Sequence, residues 1–584
     1  MSRLDWIVLI VTLVGIILYG LYKSRSSKSL DGYFLGDRSV PWFMVLLSIM
    51  GTQASAVTFL SAPGQAYTDG MRFVQYYFGL PIAMVVLCIT FVPVFHKLKI
   101  YTAYEFLEKR FDLKTRTLTS FLFLLQRGLS TGISISAPSI ILSSLLGWDI
   151  MWTNIFMGGL LIVYTVTGGA KAVAYTQQLQ LIIIFGGMIM AGYMVIHLLP
   201  HNVGFFDALH VSGKAGKLNV ITTGIDKKGF NWNDRYNLLS GVIGGFFLAL
   251  SYFGTDQSQV GRYLTAKSEG ESKLGLLMNG LVKVPMQFLI LLIGVLIFAF
   301  YQYNKEPVFF NQSQIKVLEN SKYKDSLAIL KTDYDADQVV KMKEMNVLSS
   351  SDKNSSEYQQ AQAILQSIEN KKEGSRKTVK RWLDDKEIKG DSNDTNYIFL
   401  RFVVDYLPKG LIGLLIAVIF LAAWGSIAAA LNSLASATIV DFHKRFSRKE
   451  LTEKREYDLS KLYTFIWGVF CVIVAQLAYN IGNSLIEAVN VLGSLFYGVI
   501  LGVFLVAFYM KRVGGNAVFI SAVIIEALVI AIHIMNQKGI ISLSFLWLNV
   551  VGAIGVLLLS WLINIFFPKK TSQQNLEGFS DRQN

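Results

Sequence analysis

Apolar and polar positions alternate along this chain in long blocks. Runs of about 20 to 30 mostly apolar residues are separated by shorter polar stretches. A run of about 20 apolar residues is long enough to cross a bilayer as an α-helix. The pattern therefore predicts an all-α membrane protein with about 13 transmembrane helices, at residues 4–22, 40–66, 73–97, 117–146, 149–168, 172–199, 236–258, 274–302, 407–440, 460–480, 484–510, 515–535 and 543–567.

Composition and charge narrow the class of protein. Of the 584 residues, 53% are hydrophobic and 16% are charged, whereas soluble domains carry about 25% charged residues. A soluble globular enzyme and a disordered protein are excluded on this ground. The net charge is +14, but the polar segment 304–396 holds 16 basic and 16 acidic residues and contributes none of it. The excess lies in loops beside the apolar blocks, which is typical of charges that orient a membrane protein and not of a nucleic-acid footprint.

The basic loops predict an orientation. Lys and Arg cluster after the first, third and ninth predicted helices, at 23–38, 97–116 and 444–461. These loops fall on one side, which the positive-inside rule places in the cytoplasm. We therefore expect the N-terminus outside, the C-terminus in the cytoplasm and residence in the cell (plasma or inner) membrane. The polar insert 304–396 would lie outside as a loosely helical loop, with a substrate-capture or partner-binding module as the alternative.

The second and seventh predicted helices contain polar interruptions. Gly51-Thr52-Gln53-Ala54-Ser55 divides the second apolar run. Non-helical backbone at membrane depth is tolerated where it lines a cavity or binds an ion, and a small-residue packing face is the alternative. A similar Gly254-Thr255-Asp256-Gln257 ends the seventh helix, five helices later and in the opposite orientation. This spacing is what an inverted repeat of five helices would produce.

The ninth predicted helix is rich in small residues from Ala422 to Ser433 and carries the hydroxyl of Ser426. Carbonyl and hydroxyl oxygens suit a hard cation such as Na⁺, and the alternative is tight packing with Ser426 bonded to its own helix. Ionisable residues within predicted helices are further functional candidates: Arg127, Lys283, Glu487, Glu526 and Asp256. Of these, Asp256 and Glu487 are expected near the membrane interfaces, and the side chain of Lys283 could reach one. No metalloprotease, P-loop or dinucleotide motif is present, so the chain is not predicted to be an enzyme.

Three motifs together resemble one family. They are Asp31–Arg38, then Thr255-Asp256-Gln257 followed by Arg262–Lys267, and Leu431-Asn432-Ser433 with Asp441 downstream. These residues resemble the sodium/solute symporter family, which includes sodium–glucose cotransporters, iodide and monocarboxylate transporters, and bacterial proline and sialic-acid symporters. The resemblance implies a core of five plus five helices in inverted repeats.

The implied function is sodium-coupled import of a small polar organic solute by alternating access. A sugar, polyol or sugar derivative is favoured. The alternatives are import of a small monocarboxylate or inorganic anion, or a membrane solute sensor with the same fold. The expected partners are the solute, Na⁺ as coupling ion and the lipid bilayer, with no organic cofactor and no nucleic acid.

The resemblance also divides the chain. We expect a peripheral first helix and cytoplasmic loop, a first repeat, an external loop with the start of the second repeat, the hydrophilic insert, the remainder of the second repeat, and two peripheral helices with a short tail. The corresponding ranges are 1–39, 40–200, 201–303, 304–396, 397–510 and 511–584.

Site residues follow from the resemblance position by position. The implied sodium ligands are Gly51, Ala54, Ala422, Gly425 and Ser426. The implied solute-binding residues are Gln53, Thr58, Tyr77, Ala249, Tyr252, Phe253, Lys283 and Asn490. Some relatives bind a second sodium through an Asp and two hydroxyls, but Gln177, Ala428 and Ala429 stand at those positions. We therefore predict one Na⁺ per solute.

Overall fold

A computed structural model describes residues 1–23, 38–201, 203–227, 229–350, 355–447, 452–477 and 485–566, with no side-chain description for 21, 23, 167–175, 349 and 350. The first motif, apart from Arg38, lies outside the described residues, and so do parts of the basic loops and the C-terminal tail. The Thr255, Arg262 and Leu431 motifs lie within them.

The described chain is almost entirely α-helical. Its helices are α1 Arg3–Lys23, α2 Trp42–Gln53, α3 Ala56–Asp69, α4 Leu80–Leu98, α5 Tyr104–Arg110, α6 Leu113–Leu146, α7 Ile150–His197, α8 Phe205–Lys214, α9 Gly245–Thr255, α10 Gln257–Tyr263, α11 Glu269–Tyr303, α12 Gln312–Glu319, α13 Lys324–Ser350, α14 Ser356–Leu383, α15 Ile398–Tyr406, α16 Leu411–Ala437, α17 Lys444–Phe446, α18 Glu453–Leu477, α19 Leu485–Tyr509, α20 Gly515–Gln537 and α21 Phe545–Phe566. The strands β1 (Ile225–Asp226) and β2 (Gly229–Phe230) form a small antiparallel pair.

The helices have the lengths and composition of a multi-pass membrane protein. Among the described residues, 10 helices are long and apolar enough to cross a bilayer, and the bent pair α2–α3 brings the count to 11. Two shorter apolar helices, Ile150–Val166 and Ser240–Thr255, fall below the length of a full span. The membrane architecture is confirmed, whereas the number 13 and the inverted repeat stay predictions.

One predicted boundary is absent. The sequence pattern separates helices at 149–168 and 172–199, but α7 runs from Ile150 to His197 without interruption. Gly168 and Gly169 lie at this predicted boundary. A glycine inside a helix costs only about 1 kcal/mol relative to alanine, so these two residues weaken the helix without ending it.

The predicted break in the second span is present. Helix α2 ends at Gln53, α3 begins at Ala56, and their axes differ by 62°. Ser55 between them is extended, with φ −76° and ψ 172°, and its side chain does not cap α3. Because helix ends leave backbone groups without intrahelical partners, carbonyls of α2 and amides of α3 meet at this break.

The insert is a folded unit. Helices α12, α13 and α14 enclose a small apolar core of their own, formed by Val308, Phe309, Ile315, Leu318, Leu327, Tyr334, Val379 and Leu383. The expectation of a loosely helical loop is therefore wrong. Buried positions of α14 recur at intervals of three, four or seven residues, as a packed helix requires. Lys372 occupies one of them, and this buried charge hides the periodicity in the sequence.

The insert is anchored on α3. The Tyr67 hydroxyl donates to Oε1 of Glu306 at 2.6 Å, and the Ser61 hydroxyl donates to Oδ1 of Asn396 at 2.6 Å. A Cβ on Gly64 would lie 2.0 Å from the carbonyl oxygen of Thr395, so the backbones meet there in direct contact. These three α3 positions are three residues apart and lie on one helix face, which holds α3 against the insert.

Candidate functional site

A cavity of about 140 Å³ lies beside the α2–α3 break. Its walls come from the break, the short helical turn Met71–Tyr77, and helices α6, α9, α16 and α19. Hydroxyl and amide groups face it from several elements: Thr52, Gln53, Ser55, Thr58, Gln126, Thr131, Ser134, Ser426 and Asn490. The broken helix thus borders a partly polar chamber inside the helix bundle, as expected for irregular backbone at membrane depth.

Seven of the eight implied solute-binding residues line this cavity: Gln53, Thr58, Tyr77, Ala249, Tyr252, Phe253 and Asn490. Asn490 accepts a hydrogen bond from the Tyr76 hydroxyl at 3.1 Å. Lys283 does not line the cavity in this structure. It is fully buried, and its Nζ lies 5.5 Å from the ring centre of Tyr77. Lys283 therefore neither lines the cavity, as the resemblance implied, nor extends to an interface, which was the alternative.

Arg127 gives the cavity wall a positive charge. It is the one charged side chain among the described residues that line the cavity. Its guanidinium pairs with Asp256, lies 5.4 Å above the Tyr252 ring, and leaves Nε without a hydrogen-bond partner among the described residues. The Tyr497 hydroxyl also donates to Asp256, at 2.8 Å. Asp256 is 1% exposed, and its expected position near a membrane interface stays a prediction.

Sequence reasoning named Arg127 but did not place it in the site. Arg127, Thr131 and Ser134 all line the cavity and lie on one face of α6. Polar residues at positions i, i+4 and i+7 of an otherwise apolar helix are the signal that was available. The pattern alone does not distinguish a cavity-facing stripe from a packed one, so the neighbouring helices were needed to place it.

The implied sodium ligands lie on two helices separated by Gln177. Nε2 of Gln177 donates to the carbonyl of Gly425 at 3.1 Å and to the Thr52 hydroxyl at 3.3 Å. Oε1 of Gln177 accepts from Ser48 at 2.9 Å. A Cβ on Gly51 would lie 3.1 Å from the side chain of Gln177. A glycine at position 51 therefore allows α7 to approach the end of α2.

Ser426 is bonded to its own helix. Its hydroxyl donates to the carbonyls of Ala422 and Ala423, at 3.0 and 3.1 Å, which is the alternative arrangement considered from the sequence. The same side chain lines the cavity. A hydroxyl that donates a hydrogen bond keeps lone pairs on its oxygen, so the oxygen retains the capacity to bind a cation from the cavity side.

Asp441, from the third resembling motif, joins helices at the other end of α16. It is fully buried, and its carboxylate accepts hydrogen bonds from Arg116, Thr102 and Ser120 at 2.6 to 3.0 Å. Arg116 also pairs with Glu108, whose carboxylate contacts Arg445. A buried carboxylate needs such partners, and the network links the end of α16 to α5 and α6.

Comparisons with known proteins agree with this geometry. The family model described as the sodium:solute symporter family matches residues 33–322 and 386–524, which leaves out most of the insert. The sodium/sialic acid symporter SiaT of Proteus mirabilis is 24% identical over 574 residues, covering 97% of this chain and 96% of that protein. The human sodium/iodide cotransporter is 30% identical over 291 residues, covering 49% of this chain and 43% of that protein.

A solved structure has the same fold. The substrate-bound, outward-open form of a Na⁺-coupled sialic acid symporter superposes with a TM-score of 0.73 at 22% identity, covering 98% of this chain and 100% of that one. With the family match extending over most of the sequence, the chain belongs to the sodium:solute symporter family and is a multi-pass, sodium-coupled solute symporter.

Proposed function

We propose that this protein imports a small polyhydroxylated solute bearing a carboxylate, such as an acidic sugar derivative, together with sodium. The observation that carries the proposal is Arg127, which brings a guanidinium to the wall of a cavity otherwise lined by uncharged groups. Arg binds planar carboxylates through paired N–H donors. Nη2 of Arg127 donates to Asp256 and Tyr497, whereas its Nε has no hydrogen-bond partner among the described residues, and this donor is the one that we assign to the solute carboxylate.

The rest of the cavity wall suits a hydroxylated solute. Gln53, Thr58 and Asn490 offer amide and hydroxyl groups, and Tyr77 and Tyr252 offer aromatic faces. Polar groups placed in an otherwise apolar pocket fix the orientation of a ligand. Two relatives carry the name sodium/sialic acid symporter, and sialic acid has both a carboxylate and several hydroxyls. A simple monocarboxylate would use the guanidinium but leave most of these hydrogen-bonding groups unused.

We also propose that one sodium ion binds between the α2–α3 break and α16. The oxygens of Gly51, Ala54, Ala422, Gly425 and Ser426 are its ligands. In this structure the Gly425 carbonyl accepts from Gln177, so ion binding requires the amide to release or share this carbonyl. Gln177 supplies no negative charge to offset the desolvation of a second Na⁺, and Ala428 and Ala429 supply no side-chain oxygen. The expected stoichiometry is one Na⁺ per solute.

The orientation belongs to the same proposal. The N-terminus and the insert lie outside, the C-terminus lies in the cytoplasm, and the protein resides in the cell membrane. Solute and Na⁺ enter the cavity from the outer face and leave toward the cytoplasm, as alternating access requires. The inward sodium gradient supplies about 2.3 kcal/mol per charge per 100 mV in addition to the concentration term.

The solute proposal is tested by comparing an acid with its uncharged derivative. Purified protein in Na⁺ buffer is titrated with N-acetylneuraminate, its methyl ester and lactate, and thermal unfolding is followed because a bound ligand raises apparent stability. We expect stabilisation by the acid, an effect about 10- to 100-fold weaker for the ester because a charge-assisted hydrogen bond is lost, and little effect of lactate. Equal affinity for acid and ester would contradict the carboxylate assignment, and stabilisation by lactate alone would favour the monocarboxylate alternative.

Variants locate the effect. Arg127→Gln is expected to abolish the preference for the acid over the ester. Arg401→Gln is the matched control, since Arg401 also pairs with an aspartate, Asp405, but lies on α15 away from the cavity. For sodium, Ser426→Ala should raise the Na⁺ concentration that half-activates uptake into proteoliposomes, with a Hill coefficient near one in the wild type. Unchanged activation by Na⁺ would remove Ser426 from the site, and flux ratios that require two ions would overturn the stoichiometry.

A further inference from the structure

Helix α11 carries a buried polar stripe. Asn279, Lys283 and Gln287 follow one another at intervals of four residues, so their side chains leave the helix on one face. All three are fully buried. None of the cavity-lining residues belongs to this stripe, which makes it a separate feature of the interior.

The stripe faces the broken helix. A Cβ on Gly275, one turn before Asn279, would lie 2.8 Å from Val45 of α2. A Cβ on Gly294, seven residues after Gln287, would lie 2.1 Å from the carbonyl oxygen of Pro63 of α3. Since α2 lies against one end of this face and α3 against the other, Lys283 and Gln287 lie at the level of the break between them. The positive end of the α3 dipole lies at the same level.

The polar atoms of the stripe lack partners. Both amide atoms of Asn279, both amide atoms of Gln287 and Nζ of Lys283 have no hydrogen-bond partner among the described residues. The Tyr77 ring, 5.5 Å from Nζ, is the aromatic group that Lys283 faces. A cation–π contact of this kind is worth about 2 kcal/mol when desolvated, whereas burying an isolated ammonium costs far more.

A small anion bound between these side chains would offset the cost of burying the Lys283 ammonium. An anion accepts hydrogen bonds from the lysine ammonium and from the amide N–H groups on either side, and it supplies the missing negative charge. A sodium ion at the same place would be repelled by Lys283. We propose that Asn279, Lys283 and Gln287 form a buried binding site for a small monovalent anion, beside the α2–α3 break and behind Tyr77. The anion is a free halide, since the proposed function assigns the solute's carboxylate to Arg127.

The site is tested by binding experiments in which chloride is added without solute. Purified wild-type protein is held at constant Na⁺ as the methanesulfonate salt, and chloride is added while thermal unfolding and ³⁶Cl⁻ binding are measured. For a free halide we expect saturable binding near one ion per chain and a rise in unfolding temperature. Lys283→Gln should remove both effects, and Asn279→Leu and Gln287→Leu should each weaken chloride binding about tenfold.

Lys273→Gln is the matched control. Lys273 lies on the same helix, is half-exposed and pairs with Glu269, so its loss should leave the chloride effect unchanged.

The outcomes are decisive in both directions. Saturable chloride binding that depends on Lys283 and its two amide neighbours supports the site. If Lys283→Gln does not fold, the two leucine variants and ³⁶Cl⁻ binding to the wild type provide the test. The absence of saturable chloride binding, or chloride binding that is insensitive to all three substitutions, overturns the proposal.

Discussion

Glu306 is expected to hold the insert onto the transmembrane helices. Its carboxylate is 1% exposed and lies 3.1 Å from Nζ of Lys372 and 3.5 Å from Nζ of Lys341, with the Tyr67 hydroxyl donating at 2.6 Å. Burial by itself would raise the pKa of Glu306, but Lys372, Lys341 and Arg376 lower this pKa from 4.5 to about 2. At about 1.36 kcal/mol per pKa unit, the ionised form stabilises the folded state by about 3 kcal/mol.

The perturbation is Glu306→Gln, which mimics the protonated carboxyl and leaves two lysines buried with one charge fewer opposite them. A loss of about 3 kcal/mol increases the population of the opened insert about 100-fold. Hydrogen exchange of α14 peptides, read by mass spectrometry, measures this local opening. The control is Asp335→Asn, which removes the exposed partner of Lys305 and should cost less than about 1 kcal/mol.

The sign of the pH dependence follows from the lowered pKa. The contribution of Glu306 is complete above its unfolded pKa of 4.5 and is lost as the pH falls through about 2. The difference between wild type and Glu306→Gln should therefore be the same at pH 5 and pH 8. Exchange of α14 within about threefold of wild type, or a difference that disappears at pH 5, would refute the charge cluster as the anchor.

Three further outcomes are expected in and around the insert. Burial raises the pKa of Asp391 from 3.8 to about 6, so its ionisation costs stability increasingly between these two values and fully above the upper one. Asp391→Asn should raise the free energy of unfolding of the insert by roughly 1–3 kcal/mol at pH 8 and by little at pH 3, and equal gains at both would contradict this sign. Gly64→Ala should destabilise by roughly 1–3 kcal/mol, since its Cβ would lie 2.0 Å from the Thr395 carbonyl, whereas the unobstructed Gly374→Ala should not, as thermal unfolding will show. Because the insert is proposed to lie outside, Lys377→Cys should react with an impermeant maleimide on intact cells. Both native cysteines are buried and should give no background. Labelling only after permeabilisation would reverse the proposed orientation.

Features with a local cause were predicted from the sequence. A run of polar and small residues within an apolar block predicted the break at Gly51–Ser55, and the axes of α2 and α3 differ there by 62°. The long ninth helix is likewise continuous, as α16, because its small residues favour a packed helix. The family was identified because its motifs are short and contiguous in the sequence.

Features with a distant cause were not predicted. The hydrogen bond between Tyr67 and Glu306 joins residues 239 positions apart, and no local sequence pattern predicts such a pair. The burial of Lys372 and Asp256 was not predicted for the same reason, since a charge is buried only when a partner from another helix accompanies it. Whether Lys283 faces the cavity or the broken helix depends on how α11 is rotated in the bundle, which the spacing of its residues does not specify.

Because Ser61, Gly64 and Tyr67 contact the insert, a movement of α3 would also move the insert. Helix α3 is fastened to a body whose helix α13 has 27 residues. Lys341 attaches α13 to Glu306 and to the Tyr301 carbonyl, and the end of α13 at Lys324 lies about 17 residues away, about 25 Å at about 1.5 Å per residue. This arm acts as a lever: each 10° of tilt of α3 displaces its far end by about 4 Å. A movement too small to resolve among packed side chains at the break is thereby converted into a displacement large enough for a distance probe to read at the protein surface.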